Sequence, residues 1–359
     1  MDIDFADMLM DVVKREASDL HLSSGAHPTV RVRGKLAPLE TYPKLSPSDT
    51  REIVYSILNA DQRQRLETDW QIDFAYSIPG HARFRVNAYF QRGAIGAAFR
   101  LIPFGLTSID DLGLPPIVHE LARKPRGFVL VTGPTGSGKS TSLAAMIDEI
   151  NRTREEHIMT IEDPIEFLHS HKKCLVNQRE LGSDAKSFAE ALKAALREDP
   201  DVILVGEMRD LETIATALTA AETGHLVFAT LHTQDAAQTI DRVIDVFPAH
   251  QQGQVRVQLS VALQGIMTQQ LLPTADGTGR VAATEVLVPT PAIRNLIREG
   301  KTHQIYSVLQ TSSASGMQTM DASLAMLVRE GKIRRQLAES RSSTPDELGR
   351  LLGAQALAA

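Results

Sequence analysis

Cysteine is almost absent from this chain, because Cys174 is the only one among 359 residues. A single cysteine cannot form an internal disulfide, and no Cys/His cluster has the spacing of a zinc site. The sequence therefore excludes a fold held together by disulfides or by structural zinc. Such sparse cysteine usage is typical of proteins in the reducing cytoplasm, where we expect this one to work.

Long apolar runs are also missing. A membrane-spanning helix needs about 20 consecutive apolar residues, and no stretch of this sequence approaches that length. The first residues mix Asp2, Asp4, Asp7 and Asp11 with apolar positions and lack the apolar core of a signal peptide. We therefore expect no transmembrane segment, and any association with a membrane would come through partner proteins.

Positive charge is also scarce. The chain has 38 Lys and Arg residues and 44 Asp and Glu residues, which gives a net charge of −6. An acidic chain has no bulk attraction to nucleic acid, so we expect no direct nucleic-acid partner, although a local basic channel is compatible with this balance. The 43% hydrophobic content is ordinary for a globular protein, and the length predicts two or three domains.

The most informative stretch that is present covers residues 133–140. It fits the pattern G-x-x-x-x-G-K-[ST] and lies between an apolar strand, 128–131, and a predicted helix. Glycines let the backbone curl around a triphosphate so that its N–H groups point inward, and the start of the helix adds a partial positive charge. Lys139 should contact the β- and γ-phosphates, and the Ser140 hydroxyl should ligate Mg²⁺. The predicted nucleotide-binding residues are Gly133, Pro134, Thr135, Gly136, Ser137, Gly138, Lys139, Ser140 and Thr141.

The first part of the chain, residues 1–101, predicts a small α+β domain without a catalytic motif of its own. Apolar residues recur at helical spacing in the first 14 residues, and alternating apolar residues further on predict half-buried strands separated by turns such as Pro79-Gly80. Proline and glycine then cluster from Pro103 onward. This cluster predicts an interdomain linker over 102–112.

Beyond that linker, apolar strands alternate with helical patterns over 113–335. The strands at 202–206 and 226–231 are apolar over most of their length, which is typical of a parallel sheet covered by helices on both sides. The fold class predicted for this domain is therefore α/β. After about Gln336 the composition turns to Ser, Arg, Gly and Ala without a core pattern, which predicts a flexible tail over 336–359.

Polar groups follow four of the predicted strands of this second domain. They are the loop that begins at Gly133, the acidic pair Glu162-Asp163, Glu207 and His232. In a parallel sheet the ligand lies beyond the carboxyl ends of the strands. The sequence therefore predicts that all four groups converge on one nucleotide.

The acidic residues in this set have distinct candidate roles. Glu207 follows a strand that resembles a Walker B strand, with Glu where Asp is usual, and can hold a water of Mg²⁺ or orient the attacking water. Its alternative is a solvated acid at a strand end. Pro164 breaks the preceding acidic strand and presents its carboxylates, and we assign Glu162 as the group that polarises water, with Glu166 as the alternative.

Three basic or titratable side chains complete the candidate set. His232 is a candidate γ-phosphate sensor because its strand end faces the site, although a lone histidine is more often structural. Arg85 and Arg100 lie on alternating strands of the first domain, where solvated arginines are common. The sharper hypothesis is that both reach the triphosphate as arginine fingers and stabilise the transferring phosphoryl group.

Together these motifs resemble those of the secretion ATPase superfamily, a group of RecA-like hexamers. The phosphate-binding loop alone is shared by all P-loop NTPases. More specific are residues 160–167, which match the family's Asp box, 206–210 at the Walker B strand, and 223–233, which match its His box. The resemblance extends from Ser18 to about Lys332, nearly the whole chain.

Two further segments point to one branch of this superfamily, the ATPases that retract type IV pili. Residues 292–299 are similar to the segment associated with retraction, and residues 316–321 are also typical of that branch. An ordinary packed helix would explain the apolar stripe of 292–299 equally well. The missing four-cysteine zinc module argues against the pilus-assembly and type II secretion branches.

The resemblance implies a RecA-like P-loop ATPase domain with a parallel sheet over 113–335, preceded by a smaller PAS-like domain over 1–101. It also implies a homohexamer that hydrolyses ATP with Mg²⁺ and whose cleft closes through Arg85 and Arg100. Such a motor would turn an inner-membrane pilus platform protein, extract pilin subunits and power twitching motility. It would work in the cytoplasm, peripheral to the inner membrane through the pilus machinery.

Three alternatives stay open at this point. The nearest is an accessory retraction ATPase of the same superfamily, which is also a candidate paralogous partner. A hexameric nucleic-acid translocase shares the P-loop core but should bind DNA with strong salt dependence, which the acidic composition does not favour. The third is a nucleotide-gated scaffold that binds ATP without turning it over.

Overall fold

A computed structural model describes residues 4–78, 81–102 and 105–353. The chain divides into two compact units, Met1–Gly105 and Leu106–Ala359. The predicted turn at Pro79-Gly80 and the linker residue Pro103 lie outside the described residues. In the part of the chain that is described, no helix is both long and apolar enough to cross a bilayer.

The first unit is built on an antiparallel sheet. Its elements in chain order are α1 (Phe5–Lys14), β1 (Asp19–Leu22), β2 (Thr29–Val32), β3 (Lys35–Pro38), α2 (Pro47–Ile57), α3 (Ala60–Asp69), β4 (Gln71–Ile78), β5 (Ala82–Gln91) and β6 (Ala94–Ile102). The six strands lie in the order β3-β2-β1-β6-β5-β4, and every neighbouring pair is antiparallel. The predicted α+β domain is therefore confirmed.

Alternation along the strands places one face of this sheet in the core. Phe84, Val86 and Ala88 of β5 are fully buried, and the ring of Phe84 meets that of Phe99 on β6 edge-on, with 6.4 Å between the centroids. Helices α1, α2 and α3 pack against the sheet. Trp70 caps the C-terminus of helix α3; it is the only tryptophan of the chain, has a φ of 61° and is 71% exposed.

Arg85 and Arg100 lie on this unit as cross-strand neighbours in the register of β5 and β6, and both side chains are exposed. Nε of Arg100 donates a hydrogen bond of 3.0 Å to Oδ1 of Asp19. Burial alone would raise the pKa of Asp19, but hydrogen bonds from Ser18 and Arg100 outweigh it and lower that pKa. The two candidate arginine fingers thus form one basic patch, with Arg100 oriented by an ion pair.

The second unit alternates strands and helices. Its elements in chain order are α4 (Ile117–Ala122), β7 (Gly127–Thr132), α5 (Lys139–Thr153), β8 (His157–Glu162), β9 (Leu175–Glu180), α6 (Phe188–Ala195), β10 (Val202–Val205), α7 (Leu211–Glu222), β11 (Leu226–Leu231), α8 (Ala236–Asp245), α9 (Ala249–Ala262), β12 (Leu263–Pro273), β13 (Arg280–Leu287), α10 (Pro291–Glu299), α11 (Ile305–Thr311), α12 (Met320–Arg329), α13 (Arg335–Arg341) and α14 (Pro345–Gly353). Short 3-10 turns cover Thr302–Gln304 and Ser313–Ser315.

Seven strands of this unit form one sheet in the order β13-β12-β7-β11-β10-β8-β9. All neighbouring pairs are parallel except β12 and β13, which places a single antiparallel strand at one edge. Along β7, Phe128 and Leu130 enter the core beneath α6 to α9, whereas Val129 and Val131 enter the core beneath α4 and α5. The sheet therefore has helices on both faces, and the predicted α/β fold is confirmed.

The second unit begins before the predicted end of the linker. Ile109 is 1% exposed and packs in the same core as Val118 and Val129. Burial of this side chain ties the latter part of the 102–112 segment to the second unit.

The prediction of a flexible tail after residue 336 is wrong for residues 336–353, most of which belong to α13 and α14. Leu348 is 1% exposed and packs with Leu324 of α12 and with Ala338. Hydrogen bonds reinforce this packing, because the Tyr306 hydroxyl donates to Oε2 of Glu347 over 2.6 Å. The sparse apolar residues of the tail show no pattern in isolation because their partners lie on earlier helices. Residues 354–359 lie outside the described part.

Replacing Leu348 by Ala should lower the free energy of unfolding of the second unit by about 2–3 kcal/mol, because it removes a buried side chain and leaves a cavity. Arg350→Ala is the matched control, because Arg350 lies two residues further along α14 and is exposed. This variant should change the free energy of unfolding by less than about 0.5 kcal/mol. Denaturant unfolding followed by circular dichroism measures both. Equal stability of all three proteins would contradict a docked tail.

Candidate nucleotide-binding site

The phosphate-binding loop has a backbone that only glycine tolerates well. Gly133, Gly136 and Gly138 have φ values of 137°, 78° and 90°, all in the left-handed region. A Cβ atom on Gly133 would also lie 2.3 Å from the backbone oxygen of Gln269. Helix α5 begins directly after this loop at Lys139, so its first N–H groups and the positive end of its dipole face the loop.

Lys139 is folded back across the loop. Its Nζ donates hydrogen bonds to the carbonyl oxygens of Gly133 and Pro134 over 2.9 and 3.0 Å, and the residue is 9% exposed. Burial lowers the pKa of this ammonium, while the nearby carboxylates of Glu207 and Glu166 act in the opposite direction. A buried cation at the mouth of a loop of glycines is suited to an anionic ligand.

A cavity of about 370 Å³ lies in front of the loop. It brings together residues from four strand ends, as the sequence predicted. Of the candidate residues, those that line it are Thr135, Gly136, Gly138, Lys139, Ser140, Thr141, Glu162, Glu166, Glu207 and His232. Phe188, Leu271 and Arg280 also line the cavity, and no sequence motif pointed to them.

Glu207 sits between two basic side chains. Nη2 of Arg209 donates to Oε2 of Glu207 over 2.6 Å, and Nε2 of His232 lies 3.1 Å from Oε1. The hydrogen bond from Arg209 is the main cause that lowers the pKa of Glu207, and His232 adds to it. The structure thus couples the Walker B carboxylate directly to the candidate phosphate sensor.

Glu162 has the opposite environment. Burial raises the pKa of its carboxyl group, and hydrogen bonds from Thr160 and Gln178 offset that effect only in part. Oγ1 of Thr160 and Nε2 of Gln178 both donate to Oε1 of Glu162, over 2.6 and 3.2 Å. Glu166 lies four residues on, after a cis peptide bond between Asp163 and Pro164, and is exposed to the cavity.

One acidic residue of the Walker B segment has a structural task. The carboxylate of Asp210 accepts hydrogen bonds from the backbone N–H and the hydroxyl of Thr213, over 2.9 and 2.7 Å, and so caps the N-terminus of α7. This segment therefore combines an acid that lines the cavity, Glu207, with a helix cap, Asp210.

Gln269 of β12 is a site residue that the sequence analysis missed. It is 2% exposed, and its Oε1 accepts a hydrogen bond of 2.8 Å from Oγ of Ser142 in the first turns of α5. Its backbone oxygen lies against Gly133, and its side-chain Nε2 lies against Gly138. Gln269 therefore supports the loop from behind at both ends. Only the pairing of β12 with β7 brings it there, and no local motif signals it.

The two candidate arginine fingers lie apart from this set in the chain. The described residues that line the cavity belong to the second unit, whereas Arg85 and Arg100 belong to the first. Their role stays a prediction.

Comparison with known proteins adds to this geometry. The sequence profile described as Type II/IV secretion system protein matches residues 2–337 of the chain. The chain belongs to the type II/IV secretion system protein family. The family resemblance seen in the sequence is thereby confirmed, and the protein is a secretion ATPase.

Individual relatives of this secretion ATPase are similar over almost its full length. The type IV pilus retractation ATPase PilT of Pseudomonas aeruginosa is 53% identical over 344 residues, which cover 96% of this chain and 99% of PilT. The type IV pilus ATPase PilU of the same organism is 43% identical over 346 residues, which cover 96% of this chain and 90% of PilU. A crystal structure of the pilus retraction motor PilT with bound ADP has a TM-score of 0.91 and 52% identity, and the match covers 97% of this chain and 100% of that one.

The contact between Gln269 and the loop predicts an effect on nucleotide affinity. Gln269→Met keeps the side-chain volume but removes the acceptor of Ser142, so we expect the Kd for ADP to rise about threefold to tenfold, the effect of one lost hydrogen bond. Gln270→Met is the matched control, because alternation along β12 points that side chain to the opposite face. Calorimetric titration with ADP measures both. Equal affinities in the two variants would contradict the support that we assign to Gln269.

Proposed function

We propose that this secretion ATPase is the hexameric motor of type IV pilus retraction, which powers pilin depolymerisation and twitching motility. The observation that carries the proposal is the convergence of Lys139, Glu162, Glu207 and His232 on one cavity, in a chain with full-length similarity to a pilus retraction ATPase. The arrangement of these side chains supports ATP hydrolysis, and the similarity to PilT supports a role in pilus retraction.

The reaction is attack of water on the γ-phosphorus of ATP, which breaks the bond to the β–γ bridging oxygen and releases ADP and phosphate. Glu162 accepts the proton of that water, since burial gives it a raised pKa and hence a stronger affinity for the proton. Lys139 and the backbone N–H groups of residues 135–141 bind the phosphates. His232 reports the γ-phosphate to Glu207 through their shared hydrogen bond.

Mg²⁺ fits the oxygen donors at this site. Ser140 and Glu207 both line the cavity, and Mg²⁺ prefers hydroxyl and carboxylate oxygens with several waters retained. The low pKa of Glu207 keeps it ionised for that task. The metal would neutralise charge on the phosphates when bound.

Movement follows from charge in this proposal. Arg85 and Arg100 form a basic patch on the first unit, and we assign them as arginine fingers that bind the triphosphate. Loss of the γ-phosphate removes the charge that holds them, so each turnover changes the position of the first domain. In a homohexamer such changes would pass from subunit to subunit and do mechanical work.

The partners and the location are part of the same proposal. The motor acts on an inner-membrane pilus platform protein, in the cytoplasm and peripheral to the inner membrane, with a PilU-like paralogue as a further partner. A PilU-like accessory role is the second candidate, and the higher identity to PilT than to PilU favours the retraction motor itself. A nucleic-acid translocase is disfavoured by the net charge of −6.

The assignment of Glu162 predicts the pH dependence of ATP hydrolysis. A base must be ionised, so activity falls as the pH drops through the pKa of Glu162, which burial raises above 4.5. We expect the acidic limb of kcat/KM to have its midpoint above that value, and Glu162→Gln to lower kcat about 100-fold or more. Steady-state phosphate release from pH 5 to 9 measures this profile.

Glu166→Gln is the control for that experiment and should retain the acidic limb, shifted slightly downward because one neighbouring negative charge is gone. Loss of the limb in this variant instead would make Glu166 the base. A scaffold that only binds ATP would show no turnover in the wild type or in any variant.

Lys139→Ala tests the function in cells. Complementing a deletion strain with this variant should leave surface pili that no longer retract, because the phosphates lose their principal cation. Electron microscopy of the cell surface and a twitching assay measure the two outcomes, with the wild-type gene as control. Cells without pili would identify an assembly motor and overturn the proposal.

A further inference from the structure

We propose that Gln178, on the edge strand β9, positions Glu162 to accept the proton of the attacking water and ties it to the turn that follows. This inference rests on the proposed function, since it requires Glu162 to be the base. Gln178 makes hydrogen bonds with three partners. Its Nε2 donates to Oε1 of Glu162 over 3.2 Å and to the oxygen of Phe167 over 2.8 Å, and its Oε1 accepts from the N–H of His169 over 2.8 Å.

The register of the parallel pair β8–β9 explains how Gln178 reaches the carboxylate. Gln178 is the partner of Thr160, and side chains two residues apart in a strand share a face. Thr160 and Glu162 therefore project together beside Gln178. Both neighbours donate to the same carboxylate oxygen, so that one oxygen of Glu162 is held at two points. A carboxylate held in this way keeps one orientation toward the bound water, which is what a general base needs.

The same strand also holds the turn that carries the other Asp-box residues. Oε2 of Glu180, two residues after Gln178, accepts a hydrogen bond of 3.0 Å from the N–H of Ile165. Together with the bonds to Phe167 and His169, β9 contacts every second residue of the turn. That turn forms part of the cavity wall through Asp163, Pro164 and Glu166. Gln178 thus bonds to both the base and this turn.

The charged surroundings of Glu162 define what a pH profile can report. Glu166 raises the pKa of Glu162, and Glu180 is its partner in the β8–β9 register. Asp163, Lys139, Glu207 and Arg280 line the same cavity. Replacing Gln178 by a neutral residue leaves all of these charged side chains in place. A shift of the acidic limb in such a variant therefore reports the lost donor.

The test uses ATP hydrolysis by the full-length protein across the pH range. Gln178→Leu removes the donor, so kcat should fall about threefold to tenfold, with KM changed less than about twofold, and the midpoint of the acidic limb should rise by roughly half to one pH unit. Thr160→Val removes the other donor to the same oxygen without touching the turn, and should move the limb in the same direction. Gln178→Glu keeps the acceptor for His169 and adds a negative charge, so it should raise the midpoint of the acidic limb further. This variant replaces Gln178→Leu in the test if Gln178→Leu does not fold.

Asn177→Leu is the matched control. Asn177 is the neighbour of Gln178 on β9, and its side chain bonds to His157 instead, over 2.9 Å. This variant should leave the limb in place. In a Glu162→Gln background, Gln178→Leu should cost no further activity, because a residue that acts through Glu162 has nothing left to position.

Three results would overturn the inference. An unchanged limb and kcat in Gln178→Leu, with a wild type that hydrolyses ATP normally, would reject the role of Gln178 and leave the proposed function standing. A fall in kcat without a shift of the limb, accompanied by weaker ADP binding, would show a structural role only. A wild-type chain that does not hydrolyse ATP would overturn the proposed function, and this inference with it.

Discussion

The parallel register of β7, β8, β10 and β11 is the constraint on which the site depends. These strands pair residue by residue and run in the same direction, so their carboxyl ends meet at one edge of the sheet. The strands β7, β10 and β11 are buried along their entire length, so both faces of each strand pack against the core. Hydrophobic packing thus fixes where Lys139 and His232 lie, although neither residue belongs to the core of the sheet.

Within that frame, two carboxylates that line the same cavity have opposite character. Glu207 is paired with Arg209 and His232 and holds its charge readily, whereas burial of Glu162 favours its protonated form. Pairs of acids whose surroundings push their pKa values apart are how a single cavity separates an electrostatic task from proton transfer. The neighbours that set this difference, Arg209 on one side and Thr160 with Gln178 on the other, are as much part of the site as the acids.

Local sequence patterns predicted the loop, the strand ends and the sheet type, because each depends on residues close together in the chain. Gln269 and Gln178 escaped because their contacts depend on which strands become neighbours. Gln269 bonds to Ser142, 127 residues away, across the β7–β12 pairing. The tail was misread for a related reason, since the core around Leu348 includes residues from earlier elements such as Leu324 of α12. Pairing between distant elements is what a local pattern does not encode.

The exposed Trp70 at the end of α3 has a practical consequence. Trp70 is the sole indole of the chain, so fluorescence excited at wavelengths that only tryptophan absorbs comes from the first unit alone. Its high exposure leaves that emission open to quenching by solutes and sensitive to anything that covers the ring. The fluorescence of Trp70 therefore reports on the first unit without an attached label.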